Sequence, residues 1–228
     1  MRNTLGAADL DFLQAHLSFW PKITARETEA ITANTRPVFY RKGENVYSAA
    51  TECVGVLLIK SGELRVYIIS DEGKEVTLYR LNQGEICILS ASCLLSSITF
   101  DVFIDAERDT EVLLINAVML AQLQKNNVYI ENFALHAAVD RFSDVMWAME
   151  QILFMSFDRR LAVFLLDETA KTGTDNLVLT HEQIAKYMGS AREVVSRMLK
   201  YFASEDIVEL HRGGLVITDK SRLRKLAQ

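Results

Sequence analysis

Residues 127–155 hold neither glycine nor proline, and their large apolar side chains recur at a fixed interval. Leu135, Val139, Phe142, Met146, Met149 and Leu153 are spaced 4, 3, 4, 3 and 4 apart. This is the a/d pattern of a helix repeating every ~3.5 residues. Ala138, Val145 and Ile152 add a flanking row. A helix apolar over so much of its circumference must be covered on two sides. One cover is the chain's own fold. The other is either further core, in a monomer, or the matching stripe of a second copy; a heptad stripe of this length favours a parallel two-helix seam.

The rest of the chain falls on either side of this helix. From about Pro37 to Ala117, Gly43, Gly55, Gly62, Gly73 and Gly84 punctuate short β-type runs. These are Val54–Ile59, Leu64–Ile69, Glu75–Leu81, Ile86–Leu89, Val102–Ala106 and Glu111–Ile115. Leu64, Val66 and Ile68 alternate with Arg65 and Tyr67, the period of a strand. Lys60-Ser61-Gly62-Glu63 and Asp71-Glu72-Gly73-Lys74 read as hairpin turns in which glycine supplies positive φ. Short strands at even spacing predict an antiparallel jelly-roll. Ala8–Trp20 and Ala25–Asn34, ahead of it, read as helices. The fold class is therefore α+β, with a first domain at 1–126, a long dimerisation helix at 127–155 and a third domain at 156–228. In that third domain, Ser156 is placed to cap a helix Phe157–Lys171 and to act as a hinge, and 172–176 reads as a loop.

Half the residues are hydrophobic, enough for a packed core, and no apolar run is long enough to span a bilayer. The N-terminus carries Asp9 and Asp11 with no long apolar run, so no signal peptide is read there, and three cysteines suit a reducing cytosol. A net charge of −5 seems at odds with a nucleic-acid partner, but the charge is uneven. Residues 1–155 carry 13 basic and 20 acidic side chains, net −7, while 156–228 carry 12 and 10, net +2. A local positive face, not the bulk charge, is what meets phosphate.

Within 156–228, Thr180-His181-Glu182-Gln183 is a capping box. Ile184, Tyr187 and Met188 form the buried stripe of a short helix that Gly189 ends. A second helix, Arg192–Ser204, starts at Ser190 or Ala191. Val195, Met198, Leu199 and Phe202 share one of its faces; Glu193, Ser196, Arg197 and Lys200 lie opposite, with Arg192 in the exposed first turn. Small Ala185 lets the two helices approach. Ile207–Leu210, the turn Arg212-Gly213-Gly214 and Leu215–Thr218 follow as a hairpin, so the whole reads as a winged helix-turn-helix. Arginine pairs with guanine O6 and N7 and glutamate accepts from cytosine N4–H, while Thr180, His181, Lys200 and Arg212 are placed for phosphates. The plainer alternative is a solvated helix face laced with i,i+4 ion pairs.

The run from Ile184 to Arg197, Ile-Ala-Lys-Tyr-Met-Gly-Ser-Ala-Arg-Glu-Val-Val-Ser-Arg, resembles the recognition segment of the Crp/Fnr family of bacterial transcription regulators. The resemblance covers nearly the whole chain and implies a jelly-roll sensor of cyclic-nucleotide-binding type, a dimer helix and a winged helix. It implies a homodimer on a pseudo-palindromic duplex, with Arg192, Glu193 and Arg197 reading bases, and RNA polymerase as a further partner. Ala191 stands where many members have Ser, so that contact would pass to Ser190.

Cyclic-nucleotide-binding members show a Gly-Glu pair and a later Arg-Ser/Thr-Ala that grips the phosphate. Here the first position reads Ile88-Leu89 and the second Thr99-Phe100-Asp101-Val102. Asp101 would repel a phosphate. The dimer-helix positions that offer hydroxyls in some members read Val145 and Met146. Cyclic AMP is therefore not the expected effector. A four-cysteine iron–sulfur cluster within one chain is excluded by the count of three, Cys53, Cys87 and Cys93. Cys87 and Cys93 are either a redox or haem-linked switch or two small buried hydrophobes. A barrel enzyme of metal-dependent type would need histidine ligands between 37 and 117, and His16, His136, His181 and His211 all lie outside that span. No metal site is read. A ligand-binding or scaffold protein without DNA binding is the remaining alternative.

Overall fold

The computed structural model describes residues 5–48, 54–88 and 101–228. They form two compact units, Met1–Ile68 with Leu78–Val145, and Ile69–Thr77 with Met146–Gln228.

The first unit is built on eight strands: β1 (Thr35–Tyr40), β2 (Asn45–Tyr47), β3 (Val56–Ser61), β4 (Leu64–Ile69), β5 (Glu75–Leu81), β6 (Ile86–Cys87), β7 (Phe103–Ala106) and β8 (Thr110–Ile115). They make two four-stranded sheets, ordered β1-β8-β3-β6 and β2-β7-β4-β5. Their strands pair antiparallel, with Leu57 opposite Leu114 and Val66 opposite Ile104. Leu57, Ile59, Leu64, Val66, Leu81, Ile104 and Val112 fill the space between the sheets. Val56, Leu58, Leu113 and Ile115, on the opposite faces of β3 and β8, pack on helices. Both faces of β3 are thus covered, which is why it reads as an unbroken apolar run rather than an alternating one. The β3–β4 turn needs glycine twice over. Gly62 has φ +91, and a Cβ there would fall 2.4 Å from Thr110 Oγ1.

Among the described residues, four helices belong to this part of the chain. α1 (Ala7–His16) is shorter than the sequence suggests, because Leu17 turns extended and Trp20–Lys22 winds as a separate 3₁₀ turn containing Pro21. α2 (Ala25–Ala33) opens on a Thr24/Glu27 capping box. α3 (Ala117–Gln124), capped by Asn116, was not legible, since it follows β8 with no glycine or proline to separate two apolar runs. Strands β1 and β2 were also missed; the burial of β1 is irregular rather than alternating. β6 is two residues long, not the four expected.

α4 (Val128–Phe154) is the long helix. Ile130 and Ala134 are buried, and Val145 packs on the inter-sheet core. The heptad stripe is not buried: Leu135, Val139, Phe142, Met146, Met149 and Leu153 are 46% to 65% exposed in the single chain. The reading of this stripe as the core of a monomer therefore fails.

The second unit holds α5 (Phe157–Thr172), α6 (His181–Met188), α7 (Arg192–Ser204), a three-stranded sheet and α8 (Lys220–Ala227). The sheet runs β10 (Val208–His211), β11 (Gly214–Ile217), β9 (Asn176–Leu177). β9 takes the end of the segment read as loop, and buried Leu177 pairs with Leu215. α8 was not expected; Asp219 caps it, accepting from Arg222 N–H at 2.9 Å, and Leu223 locks it into the core. Ser156 is the N-cap of α5 by position, but its side chain makes no capping bond. Its hydroxyl bonds the Asp158 carboxyl instead, which holds that group below the usual carboxylate range. Among the described residues, no helix is long and apolar enough to cross a membrane.

Candidate nucleic-acid interface

Local chemistry sets the two central helices. Thr180 Oγ accepts from Gln183 N–H at 3.2 Å, and the Gln183 side chain accepts from Thr180 N–H at 2.9 Å. Two otherwise unsatisfied donors of α6 are thereby paired. Gly189 closes α6 with φ 57 and ψ 44, and Ser190 N–H donates back to the Ala185 carbonyl at 2.9 Å. α7 begins immediately, with Ala191 at the N-cap and no side-chain cap, so Ser190 does not take over that role. Ile184, Ala185 and Met188 of α6 meet Val195, Leu199 and Phe202 of α7 in one buried cluster.

With that face buried, α7 turns Arg192, Glu193, Arg197 and Lys200 to solvent; Ser196 is half-buried. Glu193 and Arg197 have the i,i+4 spacing that suits an ion pair, yet among the described residues neither is in one, nor are Arg192, Lys200 and Arg212. Some other cations of this unit are in ion pairs. Lys186 pairs with Glu75, Lys220 with Asp175 and Arg222 with Glu205. The reading of α7 as an ordinary solvated face held by ion pairs is therefore not what the structure contains. His181, on the first turn of α6, is partly buried, and its imidazole is held below the usual histidine range by burial first and then by the positive charges of Arg192 and Lys200. Arg212 is exposed at the β10–β11 turn. The wing beneath it is close-packed: a Cβ on Gly214 would lie 2.3 Å from the Leu177 carbonyl oxygen.

Residues 159–226 match the family model of the Crp-like helix-turn-helix domain, and residues 37–127 match that of the cyclic nucleotide-binding domain. A crystal structure described as a transcriptional regulator of the Crp/Fnr family from Eubacterium rectale superposes with a TM-score of 0.91 at 43% identity, covering 93% of this chain and 99% of that one. The chain belongs to the Crp/Fnr family. The cyclic AMP receptor protein of Thermus thermophilus is 26% identical over 82% of this chain and 86% of its own length. The CRP-like cAMP-activated global transcriptional regulator of Mycobacterium tuberculosis is 23% identical over 96% of this chain and 100% of its own. The protein is thus a Crp/Fnr-type transcription regulator with a helix-turn-helix DNA-binding domain and a sensing domain of the cyclic-nucleotide-binding fold.

Ile88 is fully buried in the apolar cluster of α1, α3 and α4, so it presents no polar group to a ribose. Asp101 is exposed and brings the wrong charge for a phosphate. Leu89, Thr99, Phe100, Cys53 and Cys93, with the paired-cysteine reading, lie outside the described residues. Cys87 is buried on β6. Val145 packs on the barrel and Met146 lies on the exposed stripe.

Sequence reading missed a polar group beside α4. Arg141 lies over the Tyr79 ring at 5.0 Å, is 3.0 Å from the Asp144 carboxylate and 3.8 Å from Glu85. The buried Tyr79 hydroxyl has no hydrogen-bond partner among the described residues, and burial pushes it well above the usual tyrosine range. Burial also raises the Asp144 carboxyl, against the pull of Arg141. A cavity of about 490 Å³ adjoins this group, bounded by Phe19, Glu85, Tyr129, His136 and Arg141. No motif joins residues so far apart in sequence, so only the fold brings them together.

Proposed function

We propose that the protein is a homodimeric, sequence-specific regulator that reads a pseudo-palindromic duplex with α7. The observation that carries this reading is the exposed, unpaired set Arg192, Glu193, Arg197 and Lys200 on a helix whose opposite face is locked in the core. Arg192, Glu193 and Arg197 read base edges in the major groove, with Ser190, Ala191 and Ser196 alongside. Thr180, His181, Lys200 and Arg212 meet phosphates. The exposed stripe on α4 supports pairing of two chains, and two-fold symmetry then places half-sites about 34 Å apart. The division at 126 and 156 assigns sensing, pairing and reading to successive segments. RNA polymerase as a partner and a cytoplasmic setting follow the family, whose relatives are transcription regulators rather than enzymes.

Although two relatives are named for cyclic AMP, the effector of this chain is a different one. Ile88 and Leu89 offer no acid to a ribose, and neither Phe100 nor Asp101 is the cation that a cyclic phosphate needs. Calorimetry with cyclic AMP is expected to show no binding; micromolar binding overturns this assignment. DNA reading is tested by gel shift on random-sequence and on selected duplexes at several salt concentrations. A steep fall in affinity with salt on both, and tighter binding to the selected duplex, is expected. Binding to neither refutes the function.

A further inference from the structure

The turn between β4 and β5 lies in the second unit, with the helix-turn-helix. It is a tight hairpin: Ser70 N–H donates to the Lys74 carbonyl at 2.9 Å, Gly73 N–H to the Ser70 carbonyl at 2.8 Å, and Gly73 takes φ +76. Three successive residues after it touch the end of α6. The Glu75 carboxylate is 3.3 Å from Lys186 Nζ. Thr77 Oγ1 donates to the Lys186 carbonyl at 3.2 Å. A Cβ on Gly189 would come within 3.1 Å of a Val76 methyl. One residue of α6 is thus held by its side chain and its main chain at once, and Val76 closes over the glycine turn from which α7 departs.

We infer that Glu75, Val76 and Thr77 are positioning residues for DNA reading: they clasp the helix-turn-helix at its turn and fix the direction in which α7 leaves it. The inference rests on the reading of α7 as the base-reading helix. The clasp grips the α6 C-terminus, where the Lys186 carbonyl also accepts from the Gly189 N–H of the cap at 3.4 Å, and it leaves Arg192, Glu193, Arg197 and Lys200 exposed. A contact that shut the site off would cover those side chains. This one orients without covering, so it favours binding. The two strands that carry the tip also place Leu64, Val66, Tyr79 and Leu81 in the sensor core.

The test is a charge swap in the purified full chain, read as affinity for a duplex selected from a random library by the wild-type protein. Glu75→Lys sets two cations against each other and is expected to weaken binding about two- to tenfold, the scale of a partly exposed ion pair lost and replaced by repulsion. Lys186→Glu alone is expected to weaken it too. The double variant restores the pair with the wild-type net charge, and is expected to bind more tightly than either single variant. Separate, unpaired effects of the two side chains give no such recovery. Glu75→Lys binding as wild type, or a double variant no better than the worse single one, overturns the clasp. Wild-type protein that binds no duplex overturns the reading of α7 instead, so the two failures are distinct.

Discussion

Replacing Phe142 by alanine separates pairing from folding. The ring is 65% exposed in the single chain. An aromatic side chain of this size presents roughly 200 Å², so about 130 Å² stands uncovered. At about 25 cal/mol per Å², covering it contributes ~3 kcal/mol, and two-fold symmetry doubles this to an upper bound of ~6 kcal/mol. Association returns only part of such a sum, because ordering of side chains and lost rigid-body freedom oppose it. About 3 kcal/mol is a fair expectation, and at 1.4 kcal/mol per decade it raises the dimer dissociation constant about a hundredfold. The isolated chain should fold unchanged, since the ring is not part of its core. Sedimentation equilibrium measures the dissociation constant, and far-ultraviolet circular dichroism monitors the fold. If Phe142→Ala leaves the dissociation constant within twofold of wild type, the α4 stripe is not the seam.

Further outcomes follow from the reading unit. Arg197→Ala should cost about 1–3 kcal/mol on the selected duplex and relax preference at one base, whereas Lys200→Ala should weaken all sequences alike and reduce the salt slope by about 0.9; gel shifts over a salt series distinguish the two. His181 is held below its usual range by burial and by Arg192 and Lys200. An unfolded chain therefore takes up this proton at a higher pH than the folded one, so the contribution to stability is present above about pH 6.5 and is lost as the pH falls below it. The loss of melting temperature between pH 7 and pH 5 should shrink in His181→Asn. Phosphates near His181 offset the repulsion, so duplex binding should take up a proton and strengthen as the pH falls; titration in two buffers of different ionisation enthalpy reads that proton. Gly189→Ala places a side chain at φ 57 and against Val76. It should cost about 1–2 kcal/mol, visible as a lowered melting temperature.

The chain order of strands, long helix and winged helix was legible because each element carries its own period or punctuation. Thr180, Gln183 and Gly189 mark both ends of α6 within ten residues. The heptad stripe of α4 needs no partner in view to be counted. Local signals failed where one element runs into the next without a breaker, as at β8 and α3, or where a short strand exists only because another pairs with it, as β9 does with β11. Ser156 shows a related limit: a residue type suited to capping was found bonding a neighbouring carboxylate instead.

The sequence by itself determined the family, the helix-turn-helix and the apolar stripe, since these depend on residue types at fixed short separations. Tertiary structure decided which faces meet solvent. Among the described residues it left Arg192, Arg197 and Lys200 without carboxylates while pairing Lys186, Lys220 and Arg222. It also set Arg141 over Tyr79 and brought Glu75, Val76 and Thr77 to a helix more than a hundred residues away. Pairings at such separations follow from how the chain closes on itself, and no local periodicity encodes them.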